Sequence, residues 1–312
     1  MAEPRWQGQG AGRNRWAAEA PGHGIGSLRH VITEDVSFSA DDGAQVAGRW
    51  FLPDGAPVGV VVIAPAMAMP MRFYRHTAAW LADRGLAVLT FSYRGSEPEL
   101  YGPLRDSTAT ALDWYQDAVA AAGHARTRVD ARVPFSWVGH SFGGQSLGFL
   151  ADAGVDRCVM VASGTGWRGK ATPTIKTWSP LLWRVIAPAA IAAVGYYPGR
   201  RLHILDDLPG GVMRQWGRWC LHPDYLFSEH PELRDGFAKV QTPVTALWTA
   251  DDELISPDSI RYWSREFPNA DIELVEMRAA DHGLTRIGHS GFFRPKRAIL
   301  WEELLLPRLA LS

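Results

Sequence analysis

The sequence Val-Pro-Phe-Ser-Trp-Val-Gly-His-Ser-Phe-Gly-Gly, residues 133–144, joins an apolar strand to a serine flanked by glycines, Ser141. A run compatible with a helix, residues 142–153, follows directly. The pattern glycine-x-serine-x-glycine between a strand and a helix is typical of a sharp turn that exposes the serine at the carboxyl end of a sheet. Its two glycines leave room for the strand and the helix to approach closely. We therefore predict that Ser141 is a nucleophile and that the Phe142 amide, at the start of the helix, donates to an oxyanion.

A serine nucleophile needs a base within hydrogen-bond reach and an acid that orients the base. Two adjacent aspartates, Asp251 and Asp252, follow the apolar run at residues 244–248, where a strand would end. We favour Asp252 as the acid, because an apolar residue lies three positions on and Ser-Pro then opens the next predicted helix. Asp251 is expected to be a solvated loop carboxylate or a helix N-cap.

The base is predicted from two histidines that follow the last predicted strand, His282 and His289. His289 lies between small residues, directly before a predicted helix with an aromatic pair. This setting favours a rigidly held ring with an open approach to Ser141, so we favour His289. His282 follows an aspartate and is expected to be a surface loop residue. The other eight histidines, among them His140, are expected to have packing roles.

The second oxyanion donor is expected in the loop at residues 64–70, which follows the third predicted strand. We favour the amide of Met67, with that of Ala66 as the alternative and a purely structural turn as a further one. Methionines at 67, 69 and 71 fit either a soft apolar acyl pocket or core packing.

The remaining pattern predicts a sheet covered by helices. A hairpin is expected at residues 31–39 and 45–52, because alternating residues flank an Asp-Asp-Gly turn. Short apolar runs predict six further strands, at residues 58–64, 86–91, 134–139, 155–161, 244–248 and 272–277. Helix-length segments lie between most of them, at residues 72–84, 107–122, 142–153 and 256–267. This alternation predicts an α/β fold with a mostly parallel, eight-stranded sheet and helices on both faces.

One segment, residues 164–239, breaks the alternation and carries five of the 14 tryptophans. Because a structureless loop of that length is implausible in a compact domain, we predict an inserted helical cap. The core is then formed by residues 28–163 and 240–312, after a flexible arm at residues 1–27. Four cap tryptophans are candidates for lining an apolar substrate pocket, with packing inside the cap left open for each: Trp167, Trp183, Trp216 and Trp219.

Within this segment, residues 181–197 approach the length of a membrane span. They include Arg184 and Pro188 and fall short of the roughly 20 apolar residues that a span needs. We therefore predict a buried or pocket-lining helix pair there, and no stable membrane insertion.

Composition narrows the class of protein further. The 312 residues are 46% hydrophobic and carry 32 basic against 33 acidic side chains, which excludes a disordered chain and leaves no global field to attract nucleic acid or anionic lipid. No secretory signal pattern opens the chain, so a cytoplasmic location is expected. The two cysteines, Cys158 and Cys220, are expected to be reduced thiols. No metal-ligand spacing occurs, so neither a metal nor another cofactor is predicted.

Eight stretches together resemble the α/β-hydrolase superfamily, and more narrowly a bacterial branch of predicted α/β hydrolases with a tryptophan-rich cap. They are residues 70–75 (PMRFYR), 90–95 (TFSYRG), 138–145 (VGHSFGGQ), 161–167 (VASGTGW), 195–201 (GYYPGRR), 206–219 (DDLPGGVMRQWGRW), 251–257 and 287–294 (IGHSGFFR). The resemblance implies that His289 is the base and that the cap is integral. Two positions depart from the superfamily pattern: Met67-Ala68 replaces a small or hydroxyl residue followed by glycine, and Ser92 replaces an aspartate.

These observations predict a serine hydrolase that cleaves a carboxylic ester or thioester through Ser141, His289 and Asp252 and an acyl-enzyme intermediate. The expected partner is a small, apolar acyl substrate. An acyltransferase or a cyclising enzyme of secondary metabolism with the same triad is the first alternative. A non-catalytic binding protein on the same fold is the second. The sequence leaves the oligomeric state open.

Overall fold

The computed structural model describes Asn14, Arg15 and residues 31–311, so the predicted arm, residues 1–27, lies outside the described residues except at Asn14 and Arg15. Eleven strands occur in these residues. They are β1 (Asn14–Arg15), β2 (Ile32–Ser39), β3 (Gln45–Leu52), β4 (Gly59–Ala64), β5 (Leu86–Ser92), β6 (Phe135–His140), β7 (Arg157–Val161), β8 (Tyr196–Tyr197), β9 (Leu208–Pro209), β10 (Val244–Trp248) and β11 (Ile272–Glu276).

Nine of these strands form one sheet in the order β1-β2-β3-β5-β4-β6-β7-β10-β11. The hairpin β2–β3 and the pair β3–β5 are antiparallel, whereas every pair from β5 to β11 is parallel. The predicted α/β fold with eight mostly parallel strands is thereby confirmed, and the two-residue β1 adds a ninth at the edge. All residues of β4, β5 and β6 are buried, as expected of parallel strands covered on both faces.

The helices lie on both faces of the sheet, where two clusters of buried apolar side chains form the core. The α-helices are α1 (Arg75–Ala82), α2 (Pro98–Tyr101), α3 (Ala111–Arg128), α4 (Phe142–Gln145), α5 (Pro173–Leu181), α6 (Ala187–Val194), α7 (Gly199–Leu202), α8 (Gly210–Cys220), α9 (Arg234–Lys239), α10 (Pro257–Ser264) and α11 (Ala298–Leu300). Thr110 and Asp113 form a capping box at the start of α3, which explains why that helix begins there. After Ser141, α4 continues only as a short 3-10 turn to Phe149, so the helix is shorter than the predicted residues 142–153.

Residues 162–243, between β7 and β10, form a helical insertion that contains α5 to α9 and the ribbon β8–β9. The insertion shares one hydrophobic cluster with the sheet, because Leu182 and Trp219 belong to the same buried cluster as Val62 of β4. It therefore packs on the core as part of it.

The predicted buried helix pair in this insertion is wrong. A single helix, Pro173–Val194, runs through α5, a π-helical segment at Leu182–Ile186, and α6. Among the described residues it is the one helix long and apolar enough to cross a membrane. Only 22% of its most apolar 18-residue stretch is buried. Pro180 inside the helix cannot donate an amide hydrogen bond, and the ladder changes to π geometry two residues later.

Candidate active site

The turn between β6 and α4 places Ser141 at the carboxyl edge of the sheet. Ser141 has φ 50° and ψ −113°, a conformation that L-residues rarely adopt and that the surrounding packing must hold. A Cβ at Gly139 would lie 2.3 Å from the Gly144 Cα, and one at Gly143 would lie 2.3 Å from the carbonyl oxygen of Ala64. Only glycine fits at either position, so the turn can bring Ser141 out of the strand at this sharp angle.

The loops after β10 and β11 bring Asp252 and His289 together. The Nδ1 of His289 lies 2.9 Å from Oδ2 of Asp252, and both side chains are almost fully buried. The other oxygen, Oδ1, accepts the amides of Leu254 and Ile255 at 2.8 and 2.9 Å. A carboxylate fixed on both oxygens holds the proton of His289 on Nδ1, which leaves Nε2 as an acceptor.

His282 lies apart from this pair. Its Nδ1 is 2.5 Å from Oε2 of Glu303, near the carboxyl terminus. The structure thus joins Asp252 to His289 and not to His282.

Asp251 has a different role from the expected solvated carboxylate or helix N-cap, and that expectation is wrong. Its carboxylate accepts the amides of Ile287 and Gly288 at 2.8 and 2.7 Å and the hydroxyl of Thr249 at 2.9 Å. Burial acts to raise the pKa of Asp251, but these hydrogen bonds outweigh it and hold the pKa below its ordinary value.

The next acidic residue, Glu253, accepts the amide of His289 at 3.1 Å and pairs with Arg286. Three consecutive acids thus hold the segment that carries His289. The contacts span more than 30 residues, so local sequence pattern gives no signal for them.

A second buried chain of hydrogen bonds joins the residue before Ser141 to both flanking loops. The His140 ring is completely buried, with Nδ1 2.8 Å from the Tyr74 hydroxyl and Nε2 3.0 Å from the carbonyl oxygen of His289. Because a carbonyl oxygen only accepts, Nε2 carries the proton and Nδ1 accepts from Tyr74. The Tyr74 oxygen in turn accepts the amide of Ala66 at 2.9 Å.

This chain gives His140 more than the packing role expected of it. Complete burial and the neighbouring His289 ring lower the pKa of His140 to about 3, against the opposing effect of its bond to the His289 backbone. The ring is therefore neutral at ordinary pH, as its donor and acceptor pattern requires.

In the loop after β4, the two amides considered as oxyanion donors differ in their hydrogen bonds. The Ala66 amide is occupied by Tyr74, which removes it as an alternative donor. The Met67 amide makes no hydrogen bond to any described residue, and the next residue, Ala68, has φ 60°. Phe142 is the first residue of α4 and follows Ser141 directly.

The four candidate tryptophans of the insertion differ in exposure. Trp219 is fully buried and donates its indole N–H to Glu229 at 3.1 Å, which makes it a packing residue rather than a pocket wall. Trp183 and Trp216 are half-buried and pack edge to face, with their ring centroids 4.9 Å apart. The ring of Trp167 packs against that of Tyr262, with the centroids 5.4 Å apart.

A small, open cleft lies against the loop after β4 rather than against the tryptophans. Its walls are formed by Ala68, Met69 and Pro70, by residues 96–99, and by Arg200, Asp206 and Asp207 of the insertion, together with Arg72 and Leu104. Neither Ser141 nor any of the four tryptophans lines it.

The described part of the chain contains no group of three or more histidine, cysteine or acidic side chains placed to hold a metal ion. Both cysteines are free and buried. Burial raises the pKa of Cys158 and of Cys220 well above the ordinary thiol value, so neither is an activated thiolate.

A serine on a strained strand-to-helix turn, followed in chain order by an aspartate and a histidine from later strand-exit loops, defines the α/β-hydrolase class of fold. The family model described as the alpha/beta hydrolase family matches residues 61–299, and the chain belongs to this family. A search of curated protein sequences finds no match.

Solved structures of similar fold include several hydrolases. An esterase of Pyrococcus furiosus has 13% sequence identity and a TM-score of 0.57, covering 96% of this chain and 99% of that chain. Brefeldin A esterase, a bacterial homologue of human hormone-sensitive lipase, has 15% identity and a TM-score of 0.57, covering 90% and 76%. The acylaminoacyl peptidase of Pyrococcus horikoshii has 13% identity and a TM-score of 0.55, and the chain spans only 42% of its length. At these identities the likeness shows the fold alone.

Proposed function

We propose that the protein is a serine hydrolase that cleaves a carboxylic ester or thioester through an acyl-enzyme intermediate. The observation that carries the proposal is the buried pair of His289 and Asp252, joined at 2.9 Å, beside the strained turn at Ser141. The bond from His140 to the carbonyl oxygen of His289 supports it, because the residue before Ser141 contacts the residue proposed as its base. Esterases occur among the proteins of similar fold, so esters are the first substrate class to test.

In the proposed reaction, Oγ of Ser141 attacks the substrate carbonyl carbon while Nε2 of His289 takes the serine proton. Asp252 accepts the Nδ1 hydrogen and stabilises the imidazolium that forms. The amides of Phe142 and Met67 stabilise the negatively charged oxygen of the tetrahedral intermediate. The leaving alcohol or thiol takes the proton from His289, and a water molecule then repeats the sequence on the acyl-serine to release the acid.

A panel of p-nitrophenyl esters of increasing chain length, combined with fluorophosphonate labelling, tests this proposal. Ser141→Ala should abolish both turnover and labelling, and His289→Gln should lower both by orders of magnitude. His282→Gln is the matched control and should retain wild-type activity. An active Ser141→Ala enzyme would overturn the proposal. Labelling without turnover across the panel, followed by product formation with an added alcohol or amine, would identify acyl transfer instead.

A further inference from the structure

The long helix of the insertion, Pro173–Val194, has a solvent-facing side that is almost entirely apolar. Leu181 is 56% exposed, Val185 54% and Val194 39%. Pro188, Ala189, Ala192 and Ala193 are also exposed. Five exposed apolar residues follow one another along this side of the helix, and we call them the apolar stripe: Leu181, Val185, Pro188, Ala189 and Ala192. Soluble proteins rarely expose a continuous apolar strip of this length.

The opposite face anchors the helix to the protein. Leu182, Ala187 and Ile191 are each 2% exposed and belong to the main hydrophobic cluster. At the amino-terminal end, the Thr172 hydroxyl donates to the carbonyl oxygen of Glu253, the residue after Asp252. The helix is therefore packed on the protein body, an arrangement in which it can lie on a surface with its stripe outward.

The stretch of sequence that contains the helix carries charge of one sign. Residues 157–205 contain no aspartate or glutamate but seven arginines and lysines, although the whole chain is balanced at 33 acidic to 32 basic residues. On the helix itself, Lys176 and Arg184 are exposed, and neither forms an ion pair with a described residue. An apolar face bordered by unpaired cations fits a helix that lies in a lipid interface and attracts anionic headgroups.

We propose that the apolar stripe, with Lys176 and Arg184, docks the protein onto an anionic lipid surface. The helix lies in the interfacial plane over about 33 Å, the length of its 22 residues. A second copy of the chain is disfavoured as the occupant, because a two-fold interface brings the same patch, with its cations, against itself. This inference is independent of the proposed function, since it concerns binding and not turnover.

Co-sedimentation of the full-length chain with vesicles tests the proposal, in Ser141→Ala protein so that no lipid is consumed. The Ser141→Ala protein, with its surface otherwise unchanged, should bind phosphatidylcholine vesicles that contain phosphatidylglycerol, and added salt should weaken this binding. Its binding to vesicles of phosphatidylcholine alone should be much weaker. Leu181→Ser/Val185→Ser and Lys176→Gln/Arg184→Gln should each reduce the apparent affinity about tenfold or more. Leu274→Ser, at a residue 42% exposed on β11, is the matched control and should bind normally.

Thermal melting of each variant checks that it is folded. Because all four substituted residues of the helix are exposed, we expect every variant to keep its melting temperature. Three results would overturn the proposal. One is the absence of vesicle binding, and another is equal binding to vesicles with and without phosphatidylglycerol. The third is a dimer in light scattering that Leu181→Ser/Val185→Ser converts to a monomer, since a second copy would then cover the stripe.

Discussion

The Nε2 of His140 donates to the carbonyl oxygen of His289 at 3.0 Å, across 149 residues of chain. The residue before the proposed nucleophile thus fixes the backbone of the proposed base. Through Tyr74, the same ring reaches the amide of Ala66 in the proposed oxyanion loop. One buried imidazole therefore links the segments that carry the proposed nucleophile, base and oxyanion donor.

Tyr74→Phe should slow the proposed reaction without unfolding the protein. The ring packing is kept, but Nδ1 of His140 and the Ala66 amide lose their buried partner, which costs about 1–3 kcal/mol for each group. We expect kcat on a p-nitrophenyl ester to fall about tenfold, with little change in KM, because misplaced oxyanion donors act on the transition state.

Tyr101→Phe is the matched control for this change. The Tyr101 hydroxyl accepts the Ala47 amide and donates to the carbonyl oxygen of Ser92. These contacts are with β3 and β5 and not with the β6–α4 turn. It should lose stability to a similar degree and keep its kcat. Equal losses of kcat in both variants would show that Tyr74 acts only on stability.

Neutral His140 should make folding sensitive to acid. Its pKa of about 3 in the folded protein lies below the value of about 6.5 expected in the unfolded chain. The unfolded state therefore binds a proton first as pH falls, and stability is full above pH ~6.5 and declines by about 1.4 kcal/mol per pH unit below it.

Urea unfolding of the wild type and His140→Gln at several pH values isolates this effect. The variant should be less stable at pH 7, where the hydrogen bonds of His140 are lost. The difference between the two proteins should narrow as pH falls below ~6.5. A difference that stays constant with pH would contradict a neutral His140.

Substitution of Asp251 and of Asp252 by asparagine should have different effects, the first on stability and the second on kcat. Asp252→Asn keeps the shape of the side chain but favours the wrong tautomer of His289, so kcat should fall by about 10⁴ with stability little changed. Asp251→Asn should instead destabilise the protein by about 1–3 kcal/mol, because an amide cannot accept all of its three hydrogen bonds.

The lowered pKa of Asp251 gives the stability loss a pH signature. A carboxylate whose folded pKa is depressed stabilises the fold above its unfolded pKa of about 3.9 and loses this contribution as pH falls through the lower folded value. The stability deficit of Asp251→Asn, measured by denaturant unfolding, should therefore be present at neutral pH and shrink only in strong acid. Loss of kcat by 10⁴ in Asp251→Asn rather than in Asp252→Asn would reverse the assignment of the acid.

Gly143→Ala should fail where Gly123→Ala succeeds. A methyl group at 143 would lie 2.3 Å from the Ala64 carbonyl oxygen, so either the loop after β4 or the β6–α4 turn must move. We therefore expect the variant to lose its activity. A methyl group at Gly123, inside α3, meets nothing within 4 Å and should stabilise the helix by about 0.5–1 kcal/mol. Activity and melting temperature together test the pair, and an active, stable Gly143→Ala protein would show that the contact is not required.

Local spacing was sufficient to predict the fold class and the turn at Ser141, because strand, glycine and helix patterns are read within about 20 residues. Spacing favoured Asp252 and His289 over their alternatives without excluding these, and the structure pairs the two favoured residues. The Tyr74 and His140 chain escaped prediction because its partners are 66 and 149 residues apart. Asp251 and Asp252 are neighbours in sequence, and only the fold shows that Asp252 faces the His289 ring whereas Asp251 accepts the amides of the two preceding residues.

The long helix of the insertion was misjudged for a related reason. Most of its residues are apolar, and periodicity alone does not distinguish a core helix from one that keeps an apolar face in solvent. Trp219 illustrates the converse, since its complete burial follows from contacts with Glu229 and α3 that the sequence does not encode locally.

The three acids at positions 251–253 hold the ring of His289 and the backbone of residues 287–289. The bond from His140 to the carbonyl oxygen of His289 ties the β6–α4 turn, which carries Ser141, to the same segment. The residues proposed as nucleophile, base and acid therefore belong to one bonded unit. Loops outside this unit can change in sequence and length while the distances among the three residues stay the same.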